Sequence, residues 1–205
     1  MKLSAKFIKL LSPKTGASSS GNWIKQDFIV ETKETYPKKV VLTNWNNQFD
    51  ITSLKDNSYY EFELLLESKA FNGSYYSSAV IINQPQIIKE NILGPVSGFK
   101  LFQSKVKIAT ILPEIKGANW TKREIIFKLI EQGHKSLSTV VINNRVDLTG
   151  FSDGDQLSLD FYIESRFYNE KWYTDFKVWK IELIKKENPG EKQIYNLSDP
   201  DSWPF

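Results

Sequence analysis

Residues 22–83 recur at 119–180 without a gap, offset by 97 positions. Identical pairs run the whole length: Trp23/Trp120, Lys25/Lys122, Ile29/Ile126, Asn46/Asn143, Asn47/Asn144, Asp50/Asp147, Asp56/Asp153, Glu67/Glu164, Ser68/Ser165, Asn72/Asn169 and Tyr76/Tyr173. A unit of that length suits one small domain, and 205 residues hold two of roughly 90 each. Whatever this chain folds into, it builds the same thing twice.

The clearest part of each copy is a strand–turn–strand segment. In Asp155–Glu182, Leu157, Leu159, Phe161 and Ile163 alternate with Ser158, Asp160, Tyr162 and Glu164, the period-2 signature of a strand with one buried face. A two-residue turn at Asn169-Glu170 sets Ile163 opposite Phe176 and Phe161 opposite Val178, so both strands share an apolar face. In the first copy Tyr60, Phe62, Leu64 and Leu66 take the inward places, and the turn is Asn72-Gly73, whose residue types suit the positive φ angles of a tight hairpin.

The remaining strands follow from the same patterns. Residues 3–12 read as a first strand, Pro13–Gly21 as a turn-rich loop, Trp23–Thr32 as a second strand and Lys38–Trp45 as a third. On the second strand Ile24, Phe28 and Val30 face inward, with Trp23, Lys25, Asp27 and Ile29 on the other side. Asn46–Asp56 is a connector with room for one helical turn. The second copy repeats this as Lys105–Leu112, a shorter loop around Pro113–Ala118, Trp120–Ile130 and Lys135–Ile142, then a connector and the hairpin. Five strands, a connector between the third and fourth and a long final hairpin are the grammar of an OB barrel. The expectation is an all-β chain of two tandem five-stranded OB barrels: a first domain at 1–86, a packed linker at 87–104, a second domain at 105–186 and a flexible tail at 187–205.

The linker is too apolar to run free, with Ile87, Ile88, Ile92, Leu93, Val96, Phe99, Leu101 and Phe102. Leu65, Val80 and Ile82 give the first hairpin an apolar outer face where the second copy has Tyr162, Lys177 and Trp179. That face is expected to carry the linker, the other domain or a second subunit.

Composition narrows the chemistry. There is no cysteine and only one histidine, which removes disulfide frameworks, thiol nucleophiles and most zinc sites. His134 stands where the first copy has Pro37, at the start of a strand, and reads as a surface turn residue. No phosphate-binding glycine motif occurs, and neither catalysis nor a cofactor is expected. A net charge of +3 permits a polyanion without requiring one. No apolar run reaches the ~20 residues of a membrane-spanning helix, and lysines 6 and 9 interrupt the start, so a cytoplasmic location is expected.

The functional signal is the interleaving of aromatic and basic residues away from the core positions. Single-stranded nucleic acid is held by rings that stack on bases and cations that track phosphates. The second and third strands offer Trp23, Lys25, Lys38, Lys39 and Trp45 in one copy and Trp120, Lys122, Lys135 and Arg145 in the other. The hairpins add Lys69, Phe71 and Tyr75, and Arg166, Tyr168, Lys171 and Trp172. Trp23 and Trp120 serve equally well as plugs at a barrel end, while Tyr76 and Tyr173 read as structural.

The stretch GDQLSLDFYIESRFYNEKWYTDFKVWKIE resembles the OB-fold family of bacterial single-stranded-DNA-binding proteins. NWIKQDFIVETKETYPKKV, at 22–40, is similar to the second-to-third-strand passage of a compact OB family of Bacteroidetes and their phages, once of unknown function. The ending Asp199-Pro-Asp201-Ser-Trp203-Pro204-Phe205 resembles the acidic Pro-Phe tail of the bacterial family, though with fewer acids. The resemblance implies sequence-independent binding of single-stranded DNA, or RNA, in replication, recombination or repair. It also implies a tail tip that recruits replication and repair proteins, and the chain is expected as a monomer or homodimer. The competing expectation is a protein-interaction or virion scaffold that uses the barrels only as architecture.

Overall fold

The computed structural model of the chain describes residues 1–19, 21–89 and 101–187. The first copy supplies β1 (Lys2–Leu10), β2 (Lys14–Ser18), β3 (Gly21–Thr32), β4 (Lys39–Trp45), β5 (Tyr59–Phe71), β6 (Ser74–Ile81) and β7 (Gln86–Ile88). The second supplies β8 (Phe102–Ile111), β9 (Ile115–Lys116), β10 (Thr121–Leu129), one turn of 3-10 helix (Ile130–Gln132), β11 (Ser136–Ile142), β12 (Gln156–Tyr168) and β13 (Lys171–Lys185).

Each copy closes on itself. In the first, β4, β3, β1, β5 and β6 pair antiparallel in that order, and β6 returns to β4 in parallel at Leu42–Ala79 and Thr43–Val80. In the second, β11, β10, β8, β12 and β13 do the same, closing at Thr139–Phe176 and Val140–Lys177. This is the five-stranded OB barrel, present twice. Hairpin register follows the apolar alternation: Ile163 faces Phe176 and Phe161 faces Val178. Phe28, Phe62 and Leu64 are fully buried in one barrel, as are Phe127, Phe161 and Phe176 in the other. Each such side chain contributes about 1.5–3 kcal/mol of burial.

Local chemistry explains several of the identities between copies. Asn46 and Asn47, like Asn143 and Asn144, are consecutive residues with φ near +50°, a conformation asparagine tolerates better than most residues. The Asn46 side-chain oxygen accepts the Ile24 N–H at 2.9 Å, and that of Asn143 accepts the Thr121 N–H at 3.0 Å. The pair thus ends the third barrel strand and ties it to the start of the second. Beyond it, Asp50 accepts the N–H and hydroxyl of Thr52, and Asp147 those of Thr149. The threonine hydroxyls, first among the donors, hold both carboxyls below their ordinary values. These Asx turns replace the helical turn expected of the connector.

The loop expected at Pro13–Gly21 is instead a short hairpin arm, since β2 pairs with β3 and sets Gly16 opposite Trp23. A Cβ on Gly16 would stand 2.3 Å from the Trp23 indole, and one on Gly117 2.3 Å from the Trp120 indole. In both copies the ring lies flat on a glycine that leaves it room. At the domain boundaries, β7 pairs with β5, carrying the first barrel's sheet past residue 86, and β8 begins at Phe102.

The barrels meet about a pseudo-twofold axis. On it, Ser77 of β6 pairs with its counterpart Thr174 of β13. The Val41 N–H donates to Ser165 Oγ at 2.9 Å, and the equivalent Ser138 N–H donates to Ser68 Oγ at 2.9 Å. Those serines in turn bond Thr174 and Ser77, each at 2.8 Å. Lys38 reaches Glu164 at 3.3 Å, and its counterpart Lys135 reaches Glu67 at 3.7 Å. Each hairpin therefore leaves its own barrel and packs on the other, β12 on β4 and β5 on β11.

Ile29 lies, as expected, on the side away from its own core, but that side is closed there. Ile29 and Ile126 point away from their own cores, yet each is only 2% exposed, because the other barrel's hairpin lies across that side. Of the three coverings expected for the first hairpin, the second barrel is there: β11 packs on β5 and β6. Gln132 adds an unsymmetrical clasp, donating to the Leu64 carbonyl and accepting from the Leu66 N–H.

Candidate nucleic-acid interface

With the middle of each strand pair covered, the sequence-predicted residues sort into two groups. At the open end of β3–β4, Trp45 lies opposite Lys25, Trp23 meets it edge-on at 5.9 Å, and the Lys25 ammonium sits 6.0 Å over its ring. The second barrel repeats the place with Lys122 opposite Ile142, beside a half-exposed Trp120.

The hairpin tips form the other group. Asn72-Gly73 and Asn169-Glu170 all have φ between 47° and 73°, so both are tight two-residue turns. Phe71 (61% exposed) meets Tyr76 edge-on at 6.4 Å in the first, with Tyr75 beside them. In the second, Phe167 (61% exposed) packs against Trp172 at 5.4 Å, Tyr168 is 59% exposed and the Arg166 guanidinium stands 5.8 Å over Tyr173.

Cations divide by partner. Lys38 and Lys135 are tied to Glu164 and Glu67 across the barrel interface, which places both away from the tips and suits them to joining barrels. Lys25 pairs with Asp27 at 3.1 Å, Lys69 with Glu67 at 3.5 Å and Arg166 with Asp175 at 3.3 Å. Lys39, Lys122, Arg145 and Lys171 are exposed or half-exposed and enter no ion pair among the described residues, so their charge is the most available to phosphates. Of the pairs made by Lys25, Lys69 and Arg166, only Arg166–Asp175 is largely exposed, and such a pair is worth only about 0–1 kcal/mol.

Glu164 titrates below its ordinary value. Burial alone would raise it, but the Lys177 hydrogen bond and the nearby Lys38 charge outweigh that. Asp155, buried beneath Lys186, behaves likewise: burial raises it and the Lys186, Glu187 and Ser152 donors bring it down.

At the hairpin tips, reasoning from sequence missed two exposed rings, Phe167 and Tyr76. Phe167 has the parity of the buried Ile163, and only the projection of the hairpin beyond its own barrel turns that parity outward. His134 is an exposed residue in a left-handed turn. Two shallow clefts, of about 400 and about 550 Å³, are lined mainly by polar and acidic residues such as Glu61, Glu63 and Asp147 and hold none of these rings. The tail residues Asp199, Asp201, Trp203, Pro204 and Phe205 lie outside the described residues. No helix among the described residues is long and apolar enough to cross a membrane.

The fold and its rim of rings define a tandem OB-barrel protein. Within that class, the domain of unknown function DUF3127 matches the chain twice, over residues 2–82 and 103–182, and the chain belongs to that family. Among solved structures it is similar to the wild-type single-stranded DNA binding protein from Thermus aquaticus, at 9% identity and a TM-score of 0.57, with 91% of this chain and 93% of that one covered. A deletion mutant of the same protein matches at 9% identity and a TM-score of 0.56, covering 93% and 97%. That likeness is one of fold, and it spans both barrels. No curated protein is a significant match.

Proposed function

We propose that this chain binds single-stranded DNA without base specificity, acting in the cytoplasm during replication, recombination or repair, and that it performs no catalysis. The observation that carries this reading is the clustering of exposed rings at both hairpin tips, Phe71 and Tyr76 on one and Phe167 and Tyr168 on the other, the second beside Lys171, which enters no ion pair among the described residues. Such rings contribute nothing to either core, and stacking on bases gives them about 1–3 kcal/mol each. The Thermus aquaticus protein of similar fold is itself a single-stranded-DNA-binding protein, which supports the same class of ligand. RNA is the alternative strand, and the kinship to Bacteroidetes and phage proteins belongs to this reading too.

Titrating the full chain with oligo-dT tests it through its six tryptophans. Quenching is expected, with affinity falling as salt rises by a log–log slope of about −0.7 per phosphate neutralised. Binding insensitive both to salt and to Trp172→Ala with Lys171→Ala sinks the assignment, and competition with matched RNA settles strand preference. We further propose that the tip Asp199–Phe205 recruits replication or repair enzymes. Deleting Trp203–Phe205 then leaves DNA affinity unchanged and abolishes capture of those enzymes; undiminished capture ends that part.

A further inference from the structure

We propose that each nucleic-acid path is built in trans, one barrel's open strand end being completed by the other barrel's hairpin tip, and that the two composite sites are unequal. The inference rests on the nucleic-acid reading above. Glu164 reaches Lys38 just before β4, and Ser165 reaches Val41 within it. β12 therefore runs toward its tip in the direction in which β4 runs toward Trp45. Outward-facing Thr43, between Val41 and Trp45, is buried. By the pseudo-twofold axis, Glu67 with Lys135 and Ser68 with Ser138 send β5 along β11 toward Ile142.

The arrangement explains an uneven distribution of rings. Taken copy by copy, each has one strong and one weak half: Trp45 goes with Tyr75 in the first, Ile142 with Trp172 in the second. Taken in trans, Trp45 and Lys25 share a path with Trp172 and Lys171, while Ile142 and Lys122 share one with Tyr75 and Lys69. One path collects the larger rings. The chain then holds a tight site and a weak site, each made of both repeats.

Calorimetric titration of the full chain with a short dT oligonucleotide tests this. The unsubstituted protein is expected to bind in two phases. Trp172→Ala weakens the tighter phase by about 5- to 150-fold, the range for one lost stacked base. Lys25→Gln and Lys171→Gln, which leave both cores untouched, weaken that same phase, whereas Lys122→Gln and Lys69→Gln weaken the other. Lys25→Gln grouping with Lys69→Gln overturns the trans arrangement alone, and two equal phases overturn the inequality. An absence of binding by the unsubstituted protein removes the nucleic-acid reading itself, which separates that failure from the others.

Discussion

The two hairpins, β5–β6 and β12–β13, agree at their bases and diverge at their tips. Glu67 and Ser68 match Glu164 and Ser165, and all four touch the opposite barrel. A few residues on, Lys69, Ala70, Phe71, Gly73 and Tyr75 stand where the second hairpin has Arg166, Phe167, Tyr168, Glu170 and Trp172. The bases are held alike because each serves a symmetric contact in which one backbone N–H of the partner has a single acceptor to find. The tips lie at the exposed ends of the hairpins, and the second carries more rings and charge. One architecture thus carries a shared joint and two different tips.

The joint is the place to break this comparison hardest. Ser68→Ala and Ser165→Ala each strip the acceptor from a buried N–H, of Ser138 and Val41 respectively, and each is expected to cost about 1–3 kcal/mol in urea unfolding. Near-equal losses fit the twofold joint; a large loss at one serine and none at the other would break the symmetry.

A smaller effect sharpens the difference between the tips. Glu170 holds φ at 61° where the first hairpin has Gly73 at 73°. Left-handed backbone costs a side-chain-bearing residue about 1–2 kcal/mol. Gly73→Ala is expected to lose stability by about that amount, and Glu170→Gly to gain up to about 1 kcal/mol. Thermal unfolding of the two variants checks both signs.

The smallest effect is electrostatic. Because Glu164 titrates below its ordinary 4.5, its contribution is whole above that pH and is lost as pH falls through the lower folded value. Glu164→Gln should therefore flatten the acid limb of the stability curve below about pH 4.5, by under about 1 kcal/mol. A variant whose stability falls on acidification as steeply as the parent's removes Glu164 as a source of that limb.

Much of the fold was legible in the sequence because the signals are local. Alternation fixed the faces of β12 and β13, Asn-Gly fixed the first hairpin turn, and the 97-residue offset fixed the duplication. The small strand β2 escaped because Pro13–Gly21 carries no apolar alternation; the cue was a glycine lying under a tryptophan, a relation visible only once the strands are paired. The candidate site was legible as a composition of rings and cations but not as a geometry. Lys38 and Lys135 looked like Lys39 and Lys122 in sequence, and only the neighbouring barrel's glutamates separate them.

By itself, then, the sequence determined two copies of one barrel, their core faces and their hairpin registers, because periodicity and turn chemistry act over a few residues. The tertiary structure alone decided that Ile29 and Ile126 are buried, that Ser68 and Ser165 join barrels and that the hairpins cross. Those outcomes depend on residues 70 and 124 positions apart in the chain. Nothing in the local pattern of either partner specifies which surface the other will cover.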